Sequence, residues 1–185
     1  MHRHTKSVIG LVKNHLVNPL QGAEIGVWQG GTSVCILQQL PNIHLLMVDR
    51  YSILSDTEKT VDHSMGSNSQ EQMNDAMIQA IDVTRPYQDR RTLFIGDSVE
   101  ASIYIKDEFL DFVFIDAHHS YESVLFDTQT WFPKVKNEGL VCGHDYDGRG
   151  DQRGHFGVKK AVDEFARTKG YEIQVMPGHI WWLIK

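Results

Sequence analysis

Apolar and polar positions along this chain switch repeatedly between a period near 3.6 and short continuous apolar runs. Val8, Ile9, Leu11, Val12 and Leu16 keep helical spacing until Asn18-Pro19 breaks it, which predicts an amphipathic helix that packs on a sheet edge or lids a cleft. A strand is predicted at about 22–27, a helix at 32–40 and a second strand at 44–48, with Pro41-Asn42 at the turn between the last two. Residues 52–70 are polar, rich in Gly and Ser, and follow neither period. A stretch of that length is either a lid over a binding site or a surface excursion. Helical spacing resumes at Met73, Met77, Ile78 and Ile81. Strand 92–95, helix 99–106 and strand 112–115 follow, then a helix capped by Ser120 that runs to about Trp131 and is ended by Pro133. The chain closes with strand 140–142, helix 157–168 stopped by Gly170, and strands 172–175 and 180–184 around Pro177-Gly178.

Strands and helices that alternate in this way predict a Rossmann-like, doubly wound α/β sheet of seven strands, mostly parallel and covered on both faces. The last two strands share a short turn, so one of them must run antiparallel. At 185 residues the chain reads as a single domain spanning 1–185, with the first helix inside 1–19 and the polar stretch 52–70 as a candidate substrate lid. The net charge of −6 gives no field that favours nucleic acid or an anionic membrane. No apolar run approaches the roughly 20 residues of a membrane span, the first residues lack the apolar segment of a signal peptide, and the two cysteines, Cys35 and Cys142, read as reduced thiols. These features predict a cytoplasmic protein with no nucleic-acid and no membrane partner; self-association stays open.

Candidate chemistry begins at Ala23-Glu24-Ile25-Gly26-Val27-Trp28-Gln29-Gly30-Gly31. Glycines between a strand and a helix let the backbone approach a ligand, and the helix start beyond them offers unpaired amides. Asp49, with Arg50 beside it, closes the next strand, where an acid can bind both hydroxyls of a ribose. A nicotinamide fingerprint would have glycine where Trp28 stands, and an indole there obstructs a pyrophosphate. Phe94-Ile95-Gly96-Asp97-Ser98 ends strand three with a polar pair able to face an adenine edge, or simply to cap the next helix. The same block is similar to that of the Gly-Asp-Ser-Leu hydrolases, with Asp116 and His119 mimicking their Asp-x-x-His. The layout excludes this, because about half the chain precedes Ser98 and only 17 residues lie between it and Asp116.

Glu24, Gly26 and Gly30, Asp49, the 94–98 block, the run from Phe112 to Glu122, 139–146 and 157–165 together resemble the class I methyltransferases that use S-adenosylmethionine, in particular the small O-methyltransferases of the family 24 type. The resemblance implies S-adenosylmethionine as cofactor, held by Glu24, Gly26, Trp28, Gly30, Asp49, Arg50, Asp97, Ser98 and Asp116. It also implies a catalytic group of His119, Asp116 and His118, with His119 matching the relatives' histidine three residues after the strand-four aspartate. An imidazole with an ordinary pKa near 6.5 suits proton removal at neutral pH. Relatives hold magnesium with the aspartate matching Asp116 and an Asp-Asp, Glu-Asp or Asp-Asn pair; here the pair is His144 and Asp145. Imidazole favours later transition metals, so manganese in place of magnesium, or no metal, stays open. The expected reaction is methylation of a small molecule at oxygen. The rival is a non-catalytic module of the same fold that binds an S-adenosyl ligand or a nucleotide. Arg149, Arg153, Lys159 and Lys160 form a mild basic cluster, read as a solvated loop or a contact to a substrate anion. Trp181 and Trp182 point to opposite faces of the last strand, so one enters the core and the other is free to line a pocket rim.

Overall fold

The computed structural model describes residues 2–17, 20–53, 68–147 and 156–185. Most of the expected lid, and Arg149 and Arg153 of the basic cluster, lie outside the described residues. In chain order the elements are α1 (Arg3–His15), β1 (Leu20–Ile25), α2 (Gly31–Gln39), β2 (Ile43–Asp49), α3 (Gln70–Thr84), β3 (Arg91–Ile95), α4 (Ser98–Ile103), β4 (Leu110–Ile115), α5 (Tyr121–Trp131), β5 (Val135–Gly143), α6 (Val158–Lys169), β6 (Gln174–Met176) and β7 (Ile180–Ile184). The strands form one sheet in the order β3-β2-β1-β4-β5-β7-β6. β1 to β5 run parallel to one another, and β7 runs antiparallel to both β5 and β6. The expected doubly wound α/β sheet is therefore what the chain forms.

Alternation along the strands divides the core into two layers. Phe112, Phe114, Leu140, Cys142 and Ile180 face α1, α2 and α3, while Val113, Ile115, Val141, Trp181 and Leu183 face α4, α5 and α6. A two-sided sheet needs both residues of each pair to be apolar, which is why these strands read as unbroken apolar runs. Helix α1 lies on the first layer, with Val8 and Val12 fully buried.

β5 is much longer than the predicted 140–142. Its first half contains Lys136, Asn137 and Glu138, whose polarity hid it; the strand forms because buried Val135 pairs with Leu110 across a register shift and Lys136 reaches Asp111 at 2.8 Å. β6 starts two residues later than expected, after Tyr171 has closed the end of α6 through its amide bond to Ala166 at 2.8 Å.

Succession from β1 moves through β2 to β3 on one side, and from β4 through β5 to β7 on the other. The order reverses between β1 and β4, and at such a reversal the loops leaving the strands' carboxyl ends part to leave a crevice.

Candidate functional site

A cavity of about 820 Å³ opens at that reversal, a volume ordinary for a small-molecule site. Its floor is the turn after β1. Gly26 has φ +90°, and a Cβ there would stand 2.1 Å from the carbonyl oxygen of Asp116, so only glycine lets β1 pass over the end of β4. Gly30, with φ +76°, caps α2, and a Cβ on it would press within 3.0 Å of Ala80 in α3. Between them Trp28 adopts φ +51°, a left-handed conformation that a bulky residue seldom takes.

Asp49 holds that conformation in place. Its Oδ2 accepts the amides of Val27 and Trp28, each at 2.8 Å, and its Oδ1 accepts the amide of Tyr51 at 2.9 Å. The Tyr51 hydroxyl in turn donates to the Trp28 carbonyl at 3.0 Å. The acid expected to bind a ribose thus also staples the glycine turn. It lines the cavity and, with three of its roughly four lone-pair sites taken by amides, keeps one on Oδ1 for a ligand.

Glu24, the penultimate residue of β1, is almost fully buried and accepts a hydrogen bond from Ser33 of α2. Burial pushes its carboxyl up to about 8; the Ser33 bond opposes this, and the nearby charges of Asp116 and Asp49 reinforce it. Three acids facing one cavity form a setting that favours a positively charged ligand.

At the other end of the cavity Asp97 caps α4 by accepting the Val99 amide at 2.8 Å. The Ser98 hydroxyl donates to Asp127 at 2.6 Å and accepts the indole N–H of Trp131 at 2.8 Å. Asp127 lines the cavity from α5, and burial raises its carboxyl to about 6 despite the Ser98 bond. Sequence reasoning missed it, although a signal existed: Val124, Asp127, Thr128 and Trp131 make one buried stripe, and an acid in such a stripe needs a partner.

Beyond β4 and β5 the polar groups form one cluster. His144 Nδ1 lies 3.3 Å from Asp116 Oδ1 and 3.3 Å from Asp145 Oδ2, and His119 Nε2 lies 3.0 Å from Asp145 Oδ2 and 3.9 Å from Asp116 Oδ1. Burial alone would lower His144, but its bonds to the two carboxylates prevail and raise it to about 10. Burial likewise acts to raise Asp116 and Asp145, and hydrogen bonds from His119 and His144 instead hold both below the usual carboxylate range. The His119 ring stacks on Phe156 with centroids 4.2 Å apart. His118 Nδ1 accepts the Ser120 amide at 3.3 Å at the start of α5, so it shapes the helix cap while lining the cavity.

A family profile described as "Methyltransferase domain" matches residues 23–146, from the strand that carries Glu24 to just beyond Asp145. The chain belongs to this methyltransferase family. S-adenosylmethionine is the cofactor the family implies, and the acid-lined, glycine-floored cavity fits a cationic ligand of that kind. Among solved structures, a Staphylococcus aureus protein assigned as a caffeoyl-CoA O-methyltransferase is 18% identical, with a TM-score of 0.70 over 100% of this chain and 84% of its own. The O-methyltransferase NovP is 18% identical at a TM-score of 0.65, over 98% of this chain and 78% of its own. A Geobacter sulfurreducens methyltransferase is 13% identical at 0.67, over 98% and 78%. At these identities the likeness establishes the fold. A search of curated protein sequences gives no match.

In this methyltransferase the cavity wall includes all nine positions expected to hold the cofactor except Gly30, which shapes the wall through its contact with α3. His119 and His118 also line it, and Asp116, His144 and Asp145 come together beside it. Two residues no sequence argument pointed to, His2 and His4, reach the cavity from the start of α1. His4 lies 3.3 Å from the Thr32 hydroxyl, and its ring is 4.6 Å from that of His144. The tryptophan pair differs from the expectation of a pocket rim: Trp181 is core, and Trp182 packs on the His15 ring of α1 at 4.9 Å. Lys159 is tied to Asp163 at 2.7 Å and to the Tyr146 hydroxyl at 3.0 Å, and Lys160 sits over the Tyr121 ring. Cys142 is buried and both cysteines are free thiols; among the described residues no helix is long and apolar enough to cross a membrane.

Proposed function

We propose that this methyltransferase methylates an oxygen of a small hydroxylated molecule, with His119 as general base. The observation that supports the reading is the His119–Asp145 pair at 3.0 Å, standing beside Asp116 at the edge of the acid-lined cavity. When bound, S-adenosylmethionine supplies a methyl group already activated by its sulfonium. The chain's work is then to align and deprotonate. Glu24 and Asp49 line the cavity as the residues to hold an ammonium group and a ribose, Trp28, Arg50 and the Asp97–Ser98 loop line it with them, and alignment of two reactants alone is able to supply about 7–11 kcal/mol.

Asp145 orients the base. His119 Nε2 stands 3.0 Å from Asp145 Oδ2, so the carboxylate stabilises the imidazolium that forms when His119 takes the acceptor's proton. His118 is the reserve base. A divalent cation held by Asp116, His144 and Asp145 would supply Lewis acidity and lower the acceptor's pKa. The acceptor is a small molecule, and the compartment is the cytoplasm.

The test follows S-adenosylhomocysteine release from S-adenosylmethionine across a panel of hydroxylated metabolites and sugars. With an acceptor in hand, His119→Ala should reduce turnover by about 10²- to 10⁴-fold while cofactor affinity is retained. The rate should rise with pH through one ionisation in the wild type, and that limb should vanish in the variant. Near wild-type turnover in His119→Ala would transfer the role to His118 or to a metal-bound acceptor.

A further inference from the structure

The first residue of the strand-five pair is an imidazole, and the structure shows what it faces. His144 Nδ1 is equidistant, at 3.3 Å, from one oxygen of Asp116 and one of Asp145. An ion with bonds of about 2.0–2.1 Å holds neighbouring donors roughly 3.0–3.4 Å apart; His144 Nδ1 stands at that spacing from both oxygens, and all three donor atoms lie within 4.8 Å of one another, so they can converge on one cation. The sheet fixes the pair's direction. The His144 amide donates to Ile115 at 3.1 Å, the Tyr146 amide donates to His179 at 3.0 Å, and Asp145 between them is held at φ +59°.

Nitrogen dominates the surroundings. His119 Nε2 approaches the same Asp145 oxygen at 3.0 Å, and the His4 ring flanks that of His144. Magnesium demands near-octahedral oxygen donors and sheds its water reluctantly. One imidazole beside two carboxylates is instead a mixed nitrogen and oxygen donor set, which favours the later first-row ions.

Resting on the reading of a cation at this cluster, we propose that Asp116, His144 and Asp145 form a site for a first-row transition ion of the cobalt or zinc class rather than for magnesium, with His144 as the ligand that selects it.

The experiment uses the full chain stripped by chelator, without acceptor. Calorimetry with Co2+, Zn2+ and Mg2+ should show the first two binding far more tightly than the third. Because most sites favour later ions to some degree, the deciding readout is ligation itself. Proton NMR of the Co2+ form should show a hyperfine-shifted, solvent-exchangeable imidazole N–H. His144→Asp, which restores an all-oxygen set, should abolish that signal and weaken Co2+ by roughly tenfold or more relative to Mg2+. The proposal is overturned by Mg2+ binding as tightly as Co2+, by a wild-type Co2+ form without the imidazole signal, or by a signal that survives in His144→Asp. The wild-type spectrum decides the matter alone when the variant does not fold. S-adenosylhomocysteine titrated into the same sample separates the two readings: ligand binding without Co2+ binding ends this proposal and leaves the methyltransferase standing, and the reverse does the opposite.

Discussion

Glu24 carries most of its population protonated at neutral pH, because its carboxyl is raised to about 8 by burial. A carboxyl raised on folding adds stability that is complete below its ordinary value of about 4.5 and is lost as the pH climbs through about 8. Glu24→Gln keeps a neutral group able to accept from Ser33, so its melting temperature should fall less than that of the wild type between about pH 6 and pH 9. Thermal melts of both proteins across that range check this, and parallel curves would remove Glu24 as the cause. His144, raised from 6.5 to about 10, also loses stability from about pH 6.5 upward; it does so in both proteins and cancels in the comparison. A cationic cofactor favours ionised Glu24, so its binding near neutrality should release a proton, measurable by calorimetry in buffers of different ionisation heat. Glu24 was legible as a site residue from its place before Gly26, but its protonation was not, because Ser33 and the cover of α2 become neighbours only on folding.

Turns and helix starts decide how the site is held. Asp49 accepts three backbone amides, and a hydrogen bond to a charged group contributes about 1.5–3 kcal/mol, so Asp49→Ala should lose stability together with cofactor affinity. Chemical denaturation and cofactor titration on one preparation check this; lost affinity at unchanged stability would leave the staple without weight. The strand-end acid was visible in the sequence, whereas its bonds to residues more than 20 positions earlier were not. Helix α1 shows the same limit. Its amphipathic spacing was plain, yet nothing in that spacing said that His2 and His4 would reach the cleft, since this follows from how the helix is seated. Its first turn is fixed by the Ser7 hydroxyl on the Pro177 carbonyl at 2.5 Å and by Thr5 against Thr32 at 3.2 Å. Val8→Ala with Val12→Ala removes two fully buried side chains under α1. This double variant should raise KM for the acceptor more than Kd for the cofactor, and a cofactor Kd that moves first would place α1 on the wrong side of the cleft.

Across the molecule, sheet order was the easiest thing to read. Alternating strands and helices permit few arrangements, and the short turn around Pro177-Gly178 allows only an antiparallel return. The polar first half of β5 and the Asp127–Ser98–Trp131 chain escaped, since each depends on partners distant in sequence. The cleft lies where the two halves of the sheet meet, so a ligand bound there joins loops from both. S-adenosylhomocysteine at about 100 times its Kd should therefore stabilise the whole fold by about 2.7 kcal/mol. A two-state melt should move as a unit; a shift in one transition with a second left behind would show that the halves unfold separately.

Of the four tryptophans, Trp131 and Trp181 are sealed in the core and Trp182 lies under α1, while Trp28 alone lines the cavity, on a left-handed backbone between Asp49 and Tyr51. The protein therefore carries its own fluorescent reporter. A ligand entering the cleft should change indole emission without any label, and Trp28→Phe should erase most of that change while the buried tryptophans keep emitting. Acceptors, cofactor analogues and metal ions can then be screened by intensity alone, and a signal undiminished in Trp28→Phe would mean that the light comes from motion of the core.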